Sequence, residues 1–237
     1  CNEYDWKIDQ DEISYFMGDS FPVTLGSYYK QYSLSEAKEA EFQYQKMNEI
    51  IDSHLHIKQF HFYTNAHFVD DKEYAELFKE LFVPSEGLQE KISFYSKVHN
   101  YSPYLSMAFR FRQLLGDFED ASGGEVLSVA ERKQYIEDSL HLIDKVYEEN
   151  NGEQMIFVTS DSKDFIKAAS EKSYVFTVSG EIVHIDKQCT LVKTDYSKEF
   201  LDMLMLARSS FIYVCKKERM FTPGFSLNAA KLGGGNI

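Results

Sequence analysis

Apolar residues fall into two recurring patterns along the chain, and from residue 101 onward the two alternate regularly. YLSMAFRF (104–111), QMIFVTSD (154–161) and FIYVC (211–215) are short, nearly continuous apolar runs of the kind that form strands buried on both faces. Between and after them, SVAERKQYIEDSLHLIDKVYEEN (128–150), SKDFIKAASEK (162–172), SKEFLDMLMLARSS (197–210) and FSLNAAKLG (225–233) repeat apolar positions at helical spacing. The first of these helices opens with the capping-box order Ser128-x-x-Glu131. YVFTVSGEIVHI (174–185) predicts two further strands around Ser179-Gly180. Apolar strands alternating with amphipathic helices predict an α/β fold, a parallel sheet covered by helices on both faces. Sheets of this kind bind their ligands at the carboxyl ends of the strands.

Residues 1–100 have a different texture, rich in Tyr, Phe and acidic side chains. A helix is predicted from Ser33 to about His54, starting with the capping-box order Ser33-x-x-Glu36. KQFHFYT (58–64) predicts a short strand, and residues 70–98 read as two helices broken at Pro84, with Ser85 placed to cap the second. The change of texture divides the chain into an N-terminal region, 1–100, and a Rossmann-like domain, 101–237.

With 237 residues, 43% of them hydrophobic, the chain can bury a sizeable core, which excludes disordered and fibrous classes. A net charge of −13 repels nucleic acid and anionic membranes, so an anionic ligand has to be held by local charge. No apolar run approaches the length of a membrane span. The three cysteines, Cys1, Cys189 and Cys215, are an odd number, and two of them lie in apolar strand-like runs. Reduced thiols and a cytoplasmic setting are therefore expected. Residue 1 is Cys rather than Met, which reads as a chain beginning mid-protein in preference to a processed lipoprotein.

Three groups of side chains should meet at the carboxyl edge of the sheet. Arg110 and Arg112 end the first strand, Thr159 to Asp161 end the second, and Thr222 to Ser226 open the last helix. Guanidinium forks bond phosphate oxygens in pairs. The helix start after Pro223-Gly224 adds backbone N–H groups and the positive end of a dipole. A diphosphate suits such a site.

The order YLSMAFRFRQLLGDF, IFVTSD, KEFLDMLMLARSSFIYV and TPGFSLNAAKLGG resembles the donor-binding half of the fucosyltransferase-like glycosyltransferases, which include the alpha-1,2, alpha-1,6, nodulation and protein O-fucosyltransferases. The resemblance is clear over the C-terminal part of the chain, and FKELFVPSEGLQEKI before it also fits. It implies a GT-B-like architecture with a partial or divergent N-terminal domain on the acceptor side. It also implies a GDP-sugar donor, a glycan acceptor, inversion at the anomeric carbon and no metal or other cofactor. By position, Arg110 matches the arginine that holds the donor's pyrophosphate and stabilises its departure, and Arg112 follows it. Thr222, Gly224, Phe225 and Ser226 match the segment that grips the β-phosphate. Asp202 matches an acid that reads the guanine edge, and Asp161 matches an acidic strand end. Asp117 and Glu119 are candidates for the base that takes the acceptor's proton.

The sequence also departs from the family. Ala108 stands where a histidine is usual, and Gln113-Leu114-Leu115 separate the arginines from Gly116-Asp117. These departures bear on the guanine assignment and leave the sugar open. Each residue also has a purely structural reading: an ion pair for Arg110, a turn for Asp117, the helix dipole for Asp202 and a helix cap for Ser160 and Asp161. His54, His56, His61 and His67 lack the cysteines or helical i, i+4 pair of a zinc site and are read as non-metal residues. The sequence thus predicts an inverting, metal-independent transferase that moves fucose from GDP-fucose to a glycan in bacterial surface-polysaccharide synthesis. The alternative is a nucleotide- or carbohydrate-binding protein that kept the fold without transfer.

Overall fold

A computed structural model of the chain describes residues 4–6, 13–15, 44–45, 48–49, 52–53, 55, 59–61, 71–118, 124–182 and 196–233. The contacts divide it into two compact units, Trp6–Tyr74 and a larger one formed by Cys1–Asp5 with Ala75–Ile237.

In the smaller unit, strand β2 (Ile13–Tyr15) pairs in parallel with β3 (Gln59–His61), inside the stretch expected to be a strand. Residues 44–45, 48–49 and 52–53 are helical, within the helix predicted over 33–54. The capping box at Ser33 and the histidines at 54, 56 and 67 lie outside the described residues.

The larger unit carries the regular alternation. Strand β1 (Tyr4–Trp6) pairs with β4 (Phe82–Pro84), which follows helix α1 (Asp71–Leu81). Proline removes a donor and blocks helix continuation. The chain accordingly restarts as α2 (Glu86–Val98), whose first turn is capped where Ser85 Oγ accepts from Leu88 N–H at 3.4 Å. The larger unit takes in the chain from Ala75 onward, so α2 belongs with the main sheet, packed through Leu88, Ile92 and Tyr95.

The main sheet is built from β5 (Leu105–Phe109), β6 (Ile156–Ser160), β7 (Val175–Phe176) and β8 (Phe211–Cys215) in the order β7-β6-β5-β8, all parallel. Every residue of β5 and β6 is buried, as expected for central strands covered on both sides. Their side chains alternate between two cores. Leu105, Met107, Phe109, Ile156 and Val158 point into one core, packed on α3 (Val129–Glu149) and α4 (Lys163–Ala169) through residues such as Tyr135, Ile143 and Phe165. Ala108 and Phe157 point into the other, against α2, α5 (Ser197–Arg208) and α6 (Gly224–Gly233) through Leu201, Met205, Ala229 and Ala230. This is the doubly wound α/β arrangement the alternation predicted.

The capping box forms as predicted, with Ser128 Oγ accepting from Glu131 N–H at 3.3 Å and Glu131 Oε2 accepting from Ser128 N–H at 3.0 Å. Of the two strands predicted over 174–185, the first forms as Val175–Phe176, pairing with β6 at the edge of the sheet, and the second falls largely outside the described residues. No helix among the described residues is long and apolar enough to cross a membrane.

Candidate functional site

The carboxyl edge of the sheet opens into a cleft of about 400 Å³. Arg110 reaches it from the end of β5, Thr159, Ser160 and Asp161 from the end of β6, Asp202 from α5, and Phe225 and Ser226 from the start of α6. The three groups that the sequence placed at this edge thus contribute to a single cleft.

Arg110 is held by its backbone from both sides. Its carbonyl oxygen accepts from Phe221 N–H at 3.1 Å, tying it to the loop that leads into α6. Immediately after it, Asp161 takes both available backbone donors: Oδ1 accepts from Phe111 N–H and Oδ2 from Arg112 N–H, each at 2.8 Å. This fixes the turn in which Arg112 adopts a left-handed φ of 54°, uncommon for a residue with a Cβ. Burial pushes the Asp161 carboxyl above the ordinary aspartate range, and the two N–H groups and the Arg110 charge pull it back. Asp161 lines the cleft, yet its oxygens serve to shape the arginine loop. Arg112 lies outside the cleft lining, with its guanidinium 4.1 Å from the centre of the Phe221 ring.

The first turn of α6 lines the same cleft as Arg110. The leading N–H groups of a helix have no intrahelical acceptor and carry the positive end of its dipole. Gly224 is exposed, and a Cβ built on it meets nothing within 4 Å, so the space beside this turn is open. Ser226 is fully buried, and its Oγ donates to the Pro223 carbonyl at 2.7 Å while its N–H donates to the same oxygen at 3.1 Å. Its hydroxyl therefore closes the helix start. Thr222 is exposed and outside the cleft lining.

The α5 part of the cleft lining is acidic, and its Asp202 is paired. Asp202 is 6% exposed, as is Lys198 one turn earlier on α5. Asp202 Oδ2 accepts from Lys198 Nζ at 2.6 Å and from Thr159 Oγ1 at 2.8 Å. Oδ1 is shielded from solvent and has no hydrogen-bond partner among the described residues. Burial pushes this carboxyl up, and the Lys198 ammonium and the Thr159 hydroxyl oppose that shift. Glu199 also lines this part of the cleft.

Asp117 is not among the residues that line the cleft. Its Oδ2 accepts from Ser162 Oγ at 2.8 Å and from Asp164 N–H at 2.9 Å, which places it at the start of α4. Ser162, whose Oγ accepts from Phe165 N–H at 3.1 Å, is the N-cap of that helix, rather than the Ser160 or Asp161 considered from sequence. Glu119 lies outside the described residues. Lys198 was absent from the sequence reading, although its i, i+4 spacing to Asp202 on a predicted helix puts the two side chains together.

No protein-family model and no curated protein matches the chain. Among solved structures, it is similar to NodZ alpha-1,6-fucosyltransferase soaked with GDP-fucose, at 11% identity and a TM-score of 0.47 over 94% of this chain and 68% of that one. The same enzyme co-crystallised with GDP gives 13% identity and a TM-score of 0.46 over 92% and 67%. Fucosyltransferase NodZ from Bradyrhizobium gives 13% identity and a TM-score of 0.48 over 92% of this chain and 66% of its own. The chain thus spans about two thirds of the length of these enzymes, and the likeness is one of fold.

Proposed function

We propose that the cleft binds the GDP moiety of a nucleotide-sugar donor and that the protein is an inverting glycosyltransferase, with fucose as the sugar and a glycan as acceptor. The observation that carries this reading is the placing of Arg110 and the first turn of α6 on one cleft at the carboxyl edge of a parallel sheet. A diphosphate held between a guanidinium and a helix N-terminus meets donors on both sides. When the bond between sugar and phosphate breaks, negative charge builds on the β-phosphate, and a fixed cation beside it stabilises that charge more in the transition state than in the ground state. Arg110 is suited to this because its backbone is fixed by Phe221 on one side and by Asp161 through residues 111 and 112 on the other. Such chemistry proceeds without a metal, and a cytoplasmic role in assembling surface polysaccharide fits the charge and thiol content of the chain.

The base that accepts the acceptor's proton is a separate matter, because Asp117 is bonded to the start of α4. That engagement favours a second reading, in which the fold binds a nucleotide sugar without transferring it.

Calorimetric titration with GDP, with UDP as control and Arg110→Ala alongside, tests the donor site. Binding selective for GDP and weakened at least tenfold in the variant is expected. Absence of any nucleotide binding by the wild-type chain removes the proposal. GDP release from GDP-fucose in the presence of glycan acceptors then separates transferase from binding protein.

A further inference from the structure

Three features of the α5 end of the cleft need explaining together. Lys198 and Asp202 form an ion pair in which each residue is 6% exposed, and buried pairs of this kind rarely add net stability. Both donors of the network, Lys198 Nζ and Thr159 Oγ1, converge on the same oxygen, Oδ2. The other oxygen is buried and has no partner among the described residues, a state that costs free energy until a donor reaches it. Groups retained at such cost in a binding cleft point to a ligand.

We propose that Lys198 is the specificity-determining positioning residue of this cleft: by keeping Asp202 a carboxylate with Oδ2 occupied, it leaves Oδ1 as a pure acceptor that selects a nucleobase edge bearing N–H donors, as guanine does. The inference rests on the nucleotide-donor reading above and deepens it. The alternative state of Asp202 is a neutral acid, whose O–H donates and which no longer discriminates in favour of N–H groups. Burial alone drives Asp202 toward that neutral state, and the Lys198 ammonium opposes it from the next turn of the same helix. From β6 only the neutral Thr159 hydroxyl bonds it. The other charged groups lining the cleft are Arg110, Asp161 and Glu199, and neither oxygen of Asp202 bonds to any of these. Lys198 is held in place in turn: a Cβ on Gly180, where φ is 141°, would lie 2.9 Å from the Lys198 Cβ, so the Ser179-Gly180 turn packs directly on its stem.

The test is a calorimetric comparison of GDP and UDP binding to the wild type, Lys198→Met, Lys198→Arg, Asp202→Asn and the double variant Lys198→Met/Asp202→Asn. Lys198→Met should lower GDP affinity at least tenfold and leave UDP affinity unchanged, Lys198→Arg should retain the preference, and the double variant should lose no more than either single one. Lys198→Gln, which keeps a donor without the charge, takes the place of Lys198→Met if that variant does not fold. Equal losses for GDP and UDP, or additive losses in the double variant, overturn the inference and leave Lys198 a structural partner. A wild type that binds GDP and UDP alike overturns the guanine reading itself, and this inference with it. A wild type selective for GDP whose selectivity survives Lys198→Met overturns the inference alone.

Discussion

Replacing Asp161 by Asn tests whether the arginine loop is built for a ligand. The carboxylate serves two backbone donors, one on each oxygen at 2.8 Å. The amide of Asn can satisfy only one of them, because its NH₂ group then faces the other N–H, donor against donor. An unsatisfied N–H in this half-buried turn costs about 1–3 kcal/mol. At about 2 kcal/mol the melting temperature should fall by roughly 4–8 °C for a chain of this size. Freeing the chain after Arg110 should also weaken a bound diphosphate. A hydrogen bond to a charged group contributes about 1.5–3 kcal/mol, so losing its alignment should raise the Kd for GDP roughly ten- to a hundredfold. Scanning calorimetry reads the first effect and titration calorimetry the second. A control of similar instability on the opposite edge of the sheet is Gly152→Ala, in the turn between α3 and β6, where a left-handed φ of 66° disfavours a Cβ. Asp161→Asn should lose GDP affinity where the control does not. If Asp161→Asn is destabilised but binds GDP as tightly as the wild type, the loop is held by Asp161 for reasons unrelated to the ligand, and the reasoning is refuted.

A Cβ on Gly233 would lie 2.0 Å from the Ala207 carbonyl oxygen, so Gly233→Ala must move α5 and α6 apart, at a cost of about 1–3 kcal/mol measurable by urea unfolding. Ser226→Ala removes the 2.7 Å bond to the Pro223 carbonyl and should cost about 1 kcal/mol of stability. A variant that instead lost nucleotide affinity at unchanged stability would show the hydroxyl serving the ligand rather than the helix start. Asp161 is pushed above the ordinary aspartate value of 3.8 by burial, so the folded chain keeps its proton to higher pH than the unfolded chain does. Its contribution to stability is therefore present below that value and lost as pH rises through the raised one. Urea unfolding across this acid window should show a flatter decline with pH in Asp161→Asn than in the wild type, and an unchanged slope would count against the burial argument.

The sheet could be read from the sequence because both of its central strands are buried on two faces. Continuous apolar runs such as LSMAF and IFVTS leave little choice of structure, and the helices between them have to cover what those strands expose. At the edge of the sheet that constraint is weaker: Val175 and Phe176 pair with a single neighbour, β6, over two residues.

The cleft was legible to a different depth. Position along the strands was enough to bring Arg110, Asp161, Asp202 and Ser226 to one place, because topology alone puts strand ends and the following helix starts on the same edge. What position could not supply was the direction in which each polar group spends its hydrogen bonds. Asp161 and Ser226 look like ligand contacts in the sequence, yet both bond to backbone and so position the groups beside them. Asp117 has the spacing of a base and caps a helix. Lys198 carries no signal beyond its i, i+4 spacing to Asp202, and its role shows in the packing, where one Asp202 oxygen takes two donors and the other has no partner among the described residues. The asymmetry has a physical cause: a residue that binds through its side chain and one that holds such a residue in place need the same chemistry, a charged or hydroxyl group near the cleft. Only the partner of each lone pair tells them apart, and that partner is set by packing between segments distant in sequence, here β5 with β6 and β6 with α5.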